Sequence, residues 1–239
     1  MIKDYGSYAY ALGEEIQEAA ENTIDNYSIS DPAIHKEEDD ITSGFLQEIA
    51  SHVPSNDSIP DEFYVTADRV QRHMESDIGA DYAIMYDVSS SGYTLQTAIL
   101  VQAKRRESGH YTNFGKLREQ CESMLRLTTD SFVIDYSTNG MAVVPAVSVV
   151  GTDLREFEDD TILTQKYHSK QPKSLFTELF MGYIGNEHTY NRINHLTGYG
   201  SDFRRGDGFY ADGGEEEPLD ENSIHILSIK VNLEQDITE

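Results

Sequence analysis

The sequence predicts an α/β domain, with one mixed β-sheet and helices packed on it. Three observations carry this reading. Segments with apolar residues at helical spacing alternate with short runs rich in Val, Ile and Tyr, bounded by turn residues, in the order α-α-β-β-β-α-β-β-α-β. A length of 239 residues with 38% hydrophobic side chains suits one domain, at most two, with a real core. The run Ile99-Leu100-Val101 inside YTLQTAILVQAKR (93–105) is what a strand buried on both faces requires.

Each element has its own warrant. Leu12, Ile16, Ala19 or Ala20, and Thr23 recur at helical spacing, so residues 8–25 read as an amphipathic helix. Residues 25–32 form a loop, with a turn at Asp31-Pro32. A second helix lies within 36–53, with Ile41, Phe45, Ile49 and Val53 on one face. Its first turn holds Glu37, Glu38, Asp39 and Asp40, which suits the positive end of a helix dipole. PSNDSIPDE (54–62) breaks it. FYVTADRV (63–70), GADYAIMYDV (79–88) and residues 93–105 read as three strands, the last two joined by a turn at SSSG (89–92). Residues 115–127 align Leu117, Cys121, Met124 and Leu125 on a helix. SFVIDYS (131–137), a turn at 138–140 and MAVVPAVSVV (141–150) predict two more strands, the second an edge or irregular strand because of Pro145. SLFTELFMGYI (174–184) reads as a helix, the Gly- and acid-rich residues 198–222 as a loop, and IHILSIKVN (224–232) as a last strand.

Charge and cysteine usage narrow the function classes. The chain carries 43 acids against 18 Lys plus Arg, a formal net charge of −25. Such an excess repels polyanions over a Debye length, and a salty cytoplasm would render it harmless. The distribution is uneven. Residues 1–65 hold 15 acids with only Lys3 and Lys36, whereas 99–129 and 166–205 are each net +3. A locally basic middle is compatible with a phosphate-facing surface. Cys121 is the single cysteine, which excludes an internal disulfide framework and a thiolate metal cage from one chain. No apolar run reaches the roughly 18 residues needed to cross a bilayer, and MIKDYGSYAYALGEE lacks the pattern of a secretory signal. The expected compartment is cytoplasmic.

The chemistry sits on the hairpin of the second and third strands. Depending on where the turn centres, Asp81 lies opposite Gln102 or opposite Leu100. Either way Asp81, Gln102 and Lys104 share a sheet face, because strand parity is two. Glu38 precedes Ile41 by three residues and Phe45 by seven, so it lies on the inward face of its helix, where an acid needs a partner, a metal or water. Carboxylate and amide oxygens suit Mg²⁺ or Mn²⁺. A divalent ion activates water and neutralises phosphoryl charge, and a nearby Lys orients that water. These residue types match metal-assisted phosphodiester hydrolysis. Taken singly, Asp81 reads as a strand-start acid, Lys104 as a solvated strand end and Glu38 as a helix-dipole residue; the three matched faces favour a site.

Glu38-Asp39-Asp40-Ile41-Thr42 on a helix, Gly79-Ala80-Asp81 opening a strand and Gln102-Ala103-Lys104 ending the next together resemble the PD-(D/E)XK nuclease superfamily. The form with Gln before the Lys is similar to Mrr-type restriction endonucleases. The similarity covers roughly residues 35–150. It implies a restriction-endonuclease-like αβββαβ core, with residues 1–34 a helical extension and 151–239 a peripheral helix, acidic loop and last strand of the same single domain. It also implies a Mg²⁺-dependent deoxyribonuclease, with Mn²⁺ an alternative ion. Asp81 would be the metal ligand, Gln102 the substitute for the second acid, Lys104 the catalytic lysine and Glu38 the helix acid completing the metal shell. A neutral Gln102 removes one negative charge from the site, and Gly-Ala replaces the signature Pro before Asp81. Relatives of this type suggest restriction or antiviral defence.

Arg105, Arg106, Lys116 and Arg118 in the basic window are the candidate DNA-contacting residues, and Arg204 and Arg205 are either further phosphate contacts or part of a linker. No stacking signature separates RNA from DNA, and cutting both strands of a duplex suits a two-fold homodimer. Gln120 either faces the site or is a solvated helix position. The eight histidines read as surface or satisfied groups, since no pair has the i, i+4 spacing of a zinc site. The rival from another class is a catalytically inactive nuclease-fold protein, an acidic interaction module or DNA mimic.

Overall fold

The computed structural model describes residues 2–26, 38–55, 59, 63–70, 78–90, 93–105, 114–137, 140–151, 169–197 and 224–233. Helices α1 (Ile2–Asn26) and α2 (Glu38–His52) come first, followed by a short 3-10 turn at Val53–Ser55. Strands β1 (Phe63–Val70), β2 (Tyr82–Ser90) and β3 (Tyr93–Arg105) precede helix α3 (Phe114–Leu127). Strand β4 (Ser131–Ser137), strand β5 (Gly140–Pro145) and helix α4 (Ala146–Val150) follow. Helices α5 (Pro172–Phe180) and α6 (Glu187–Thr197) lead to strand β6 (Ile224–Leu233).

The six strands form one mixed sheet in the order β1-β6-β2-β3-β4-β5. β2 and β3 are an antiparallel hairpin, β3 and β4 run parallel, and β4 and β5 are antiparallel. The parallel β3–β4 pair needs a crossover, and α3 supplies it. β6 runs parallel to β2 and antiparallel to β1. The last strand therefore lies inside the sheet, between β1 and β2, not at its margin.

Strand alternation divides the core into two layers. Tyr82, Ile84, Tyr86 and Val88 of β2, with Ile99, Val101 and Ala103 of β3, pack on the side of α1, α2 and α5. Ala83, Met85, Ala98 and Leu100 pack on the side of α3, α4 and α6. Both faces of β3 are buried, as the apolar run requires. Leu12, Ile16, Ala19, Ala20 and Thr23 of α1 are all buried, as are Ile41, Phe45 and Ile49 of α2.

Two local expectations are corrected. Residues 146–150 are helical and do not continue the strand. Pro145 lies at φ −59°, ψ 133° and caps the helix; beyond it Ala146 and Val149 are buried while Val147 is 60% exposed, a helical and not an alternating pattern. The helix expected over 174–184 starts at Pro172, where the missing N–H costs nothing, and ends at Phe180. Helix α6 was not expected. Its polar sequence hides its period, although Asn186 caps it, with Oδ1 accepting from the Thr189 N–H at 2.8 Å. Among the described residues no helix is long and apolar enough to cross a membrane.

Candidate active site

Of the two hairpin registers the sequence allows, the one found pairs Tyr82 with Val101 and so sets Asp81 across from Gln102. The Asp81 N–H donates to the Val101 carbonyl at 3.0 Å, extending the ladder to this residue. The carboxylate of Asp81 turns toward β3. Its Oδ2 accepts the Ala103 main-chain N–H at 2.7 Å and a hydrogen bond from Gln102 Nε2. Gln102 Nε2 also donates to the Ala103 carbonyl at 3.1 Å. One amide nitrogen thus lies between two oxygens. The other end of the side chain is unlike it: Gln102 is fully buried, and its Oε1 has no hydrogen-bond partner among the described residues. A buried carbonyl left this way costs free energy on the order of 1–3 kcal/mol.

Just before β2, Gly79 fixes how this strand enters the site. It has φ +76°, and a Cβ there would sit 2.4 Å from the Gln120 carbonyl oxygen of α3. Only glycine meets both demands, which gives a local reason for Gly at this entry. Gln120 itself is half-buried and packs here rather than in solvent; its Oε1 is buried without a partner among the described residues.

The first turn of α2 closes the end of the sheet. Glu38 Oε1 accepts from Lys104 Nζ at 2.7 Å, and Oε2 accepts the Arg105 main-chain N–H at 2.9 Å. Lys104 is 16% exposed and Glu38 32%, so the pair is shielded but reachable from solvent. Thr42 Oγ1 and Tyr136 Oη lie 3.1 Å apart, joining the same turn to β4. Asp39 reaches the other way, with Oδ1 2.8 Å from His225 Nε2 on β6.

Burial dominates the local electrostatics. It pushes the Cys121 thiol on α3 up to about 12, a rise that the nearby Lys104 ammonium opposes. Lys104 therefore acts on the α3 side of the sheet. On the α2 side, burial raises the phenols of Tyr82 and Tyr136, and the Asp81 carboxylate adds to both. Tyr136 feels Glu38 as well.

The structure thus gathers Asp81, Gln102 and Lys104 at one end of the sheet and joins Glu38 to them through Lys104. The surface cations are less concentrated. Arg118 Nε pairs with Glu122 Oε1 at 3.2 Å on its own helix, Lys116 is exposed, and Arg105 enters the site through its main chain. Arg106, Arg204 and Arg205 lie outside the described residues. The histidine reading holds for His225, a satisfied group whose place beside the site no sequence spacing announced. A separate group, Glu15, Glu18 and His52, has potential ligand atoms within 4.8 Å of one another. It lies at the opposite end of α2, about 20 Å away at the helical rise. There His52 Nε2 already faces Glu48 Oε2 at 3.3 Å.

Asp81, Gln102 and the Ala103 carbonyl fit a hard divalent ion. Reversing the Gln102 amide would bring Oε1 beside Asp81 Oδ2 and the Ala103 oxygen, and a cation among the three would offset their mutual repulsion. That donor set is the kind Mg²⁺ and Mn²⁺ take. Comparison of the chain with protein-family models, curated proteins and solved structures finds no match.

Proposed function

We propose that the chain is a Mg²⁺-dependent nuclease hydrolysing DNA phosphodiester bonds, with a PD-(D/E)XK-like site in its Gln-x-Lys form. The observation that carries this reading is the Gln102 amide: a buried oxygen with no partner among the described residues on one end, and on the other a nitrogen held between Asp81 Oδ2 and the Ala103 carbonyl. Asp81, Gln102 and the Ala103 carbonyl would hold the ion, with Glu38 as the further carboxylate. Bound there, a divalent ion neutralises phosphoryl charge and makes a water acidic enough to serve as nucleophile.

The protein's own groups do the rest. Lys104 keeps its ammonium at the mouth of the site, where it orients the attacking water and stabilises charge growing on the phosphoryl oxygens. Glu38 fixes that ammonium with a charge-assisted hydrogen bond. The buried strands behind keep bulk water from the inner side. A setting in restriction or antiviral defence follows from the resemblance to Mrr-type enzymes.

The test is cleavage of duplex DNA, single-stranded DNA and RNA by the purified chain in Mg²⁺ and in Mn²⁺. Lys104→Ala is expected to lower DNA cleavage by about 10²- to 10⁴-fold, with the fold retained, a melting temperature lower by only a few degrees and near-normal DNA retention. Equal cleavage by Lys104→Ala and wild type would remove the site assignment. Inert wild-type protein that binds no Mn²⁺ would favour the acidic interaction module.

A further inference from the structure

His225 holds two parts of the site at once. Its main-chain N–H donates to the Asp81 carbonyl at 3.0 Å, and its imidazole Nε2 meets Asp39 Oδ1 at 2.8 Å. The side chain is only 6% exposed, whereas that of Asp39 is 48% exposed. The parallel register pairs His225 with Tyr82, so its ring lies on the α2 side of the sheet, beneath the first turn of that helix. Asp39 is the neighbour of Glu38, and Glu38 reaches across β2 to Lys104 on β3. Two consecutive acids therefore span three adjacent strands: Asp39 tied to β6, Glu38 tied to β3, and Asp81 on β2 between them.

We infer that His225 is a positioning residue for the site, locking the first turn of α2 through Asp39 so that Glu38 presents Lys104 at the mouth. The inference rests on the nuclease reading above. Its physical basis is the geometry of a helix end. The first-turn N–H groups of a helix have no intrahelical partners, and such ends fray. Among the described residues, the start of α2 is tied to Lys104 with Arg105, to Tyr136 through Thr42, and to His225 through Asp39. Loss of the Asp39–His225 tie leaves the other two, both on the β3–β4 side, and lets the turn rotate about them. The carboxylate of Glu38 then samples positions away from Lys104. Groups that bond a metal ligand directly commonly cost about 10- to 100-fold in activity or metal affinity when lost, and this tie, one residue further out, belongs at the lower end of that range.

The experiment measures steady-state DNA cleavage in Mn²⁺, calorimetric Mn²⁺ binding and melting temperature for the full chain and for His225→Ala, Asp39→Ala, the double variant and His225→Gln. His225→Ala and Asp39→Ala should each lower kcat by about 10-fold or more, with KM for DNA within about 2-fold. The double variant should be no worse than the weaker of the two single ones, since both remove the same tie. His225→Gln, whose amide nitrogen falls near the Nε2 position, should recover most of kcat. Asp39 is exposed, so its variant keeps the test meaningful should His225→Ala fold poorly. Active wild type with Asp39→Ala at wild-type kcat, with His225→Gln as impaired as His225→Ala, or with additive losses in the double variant, overturns the positioning role alone. Wild type that neither binds Mn²⁺ nor cleaves overturns the nuclease reading and this role with it.

Discussion

Gln102 has the most informative surroundings of any side chain in the molecule. The neutral amide opposite Asp81 donates to its carboxylate from the side chain, as the Ala103 N–H does from the main chain. Placing an acid there should separate stability from affinity. Gln102→Glu places two carboxylates side by side in a buried position, where like charges repel. Without metal, the variant should lose about 1–2 kcal/mol, roughly 4 °C in Tm. With Mn²⁺, it should gain more stability than wild type does, because metal binding to the folded state is worth more when the site is more negative. Scanning calorimetry with and without Mn²⁺ reads both signs. A variant that loses stability and gains nothing from Mn²⁺ would mean that no ion is held at this position. The placement of these residues was largely legible in the sequence. Strand parity put Asp81, Gln102 and Lys104 on one face in either register, and helical phase turned Glu38 inward. Parity does not give hydrogen bonds, so that Glu38 would grip Lys104 and the Arg105 N–H was not readable.

At the scale of elements, strands with strong β-branched runs announced themselves, and β1, β3 and β4 have the expected bounds. Helix α6 did not, because among its described side chains Thr189, Tyr190 and Ile193 are buried, set between Asn, Arg and His. Residues 146–150 misled because Val149 and Val150 favour strands in isolation, whereas burial against the α3 side of the sheet decides for helix. The position of β6 was out of reach for another reason: pairing partners far apart in sequence leave no local mark. His225 sits 121 positions after Lys104, and only the sheet order brings the two strands to either side of β2. The entry to β2 gives a prediction of its own. Gly79→Ala sets a Cβ against the Gln120 carbonyl in a left-handed conformation, which should cost about 2 kcal/mol or more. Denaturant unfolding measures this directly. A loss under about 0.5 kcal/mol would mean that α3 does not press on this turn as described.

For the whole molecule, the buried acids of high pKa dictate behaviour in alkali. The thiol of Cys121 ionises near 9.0 in an open chain and near about 12 when folded. Its neutral form is favoured by the fold, so the stability it contributes is complete below about pH 9 and is lost as pH rises through about 12. Tyr82, Tyr136 and Tyr190 shift in the same direction, chiefly through burial, and continue the decline above pH 10. The urea midpoint should therefore fall steadily above pH 9, and Cys121→Ala should flatten the portion between pH 9 and 10. A midpoint constant to pH 11 would contradict the burial assigned to these groups. The charge of −25 was plain from composition, but composition cannot say which acids gather. Glu38 and Asp39 work at the sheet end, while Glu15, Glu18 and Glu48 surround His52 at the other end of α2.

Diffraction from crystals of the chain grown with Mn²⁺, read at the manganese edge, bears most directly on the proposed site. The expected result is an anomalous peak about 2.1–2.2 Å from an Asp81 carboxylate oxygen, the Ala103 carbonyl and Gln102 Oε1, with the Gln102 amide reversed and Lys104 still held by Glu38. A peak confined to Glu15, Glu18 and His52, or none beside Asp81 at saturating Mn²⁺, would contradict it.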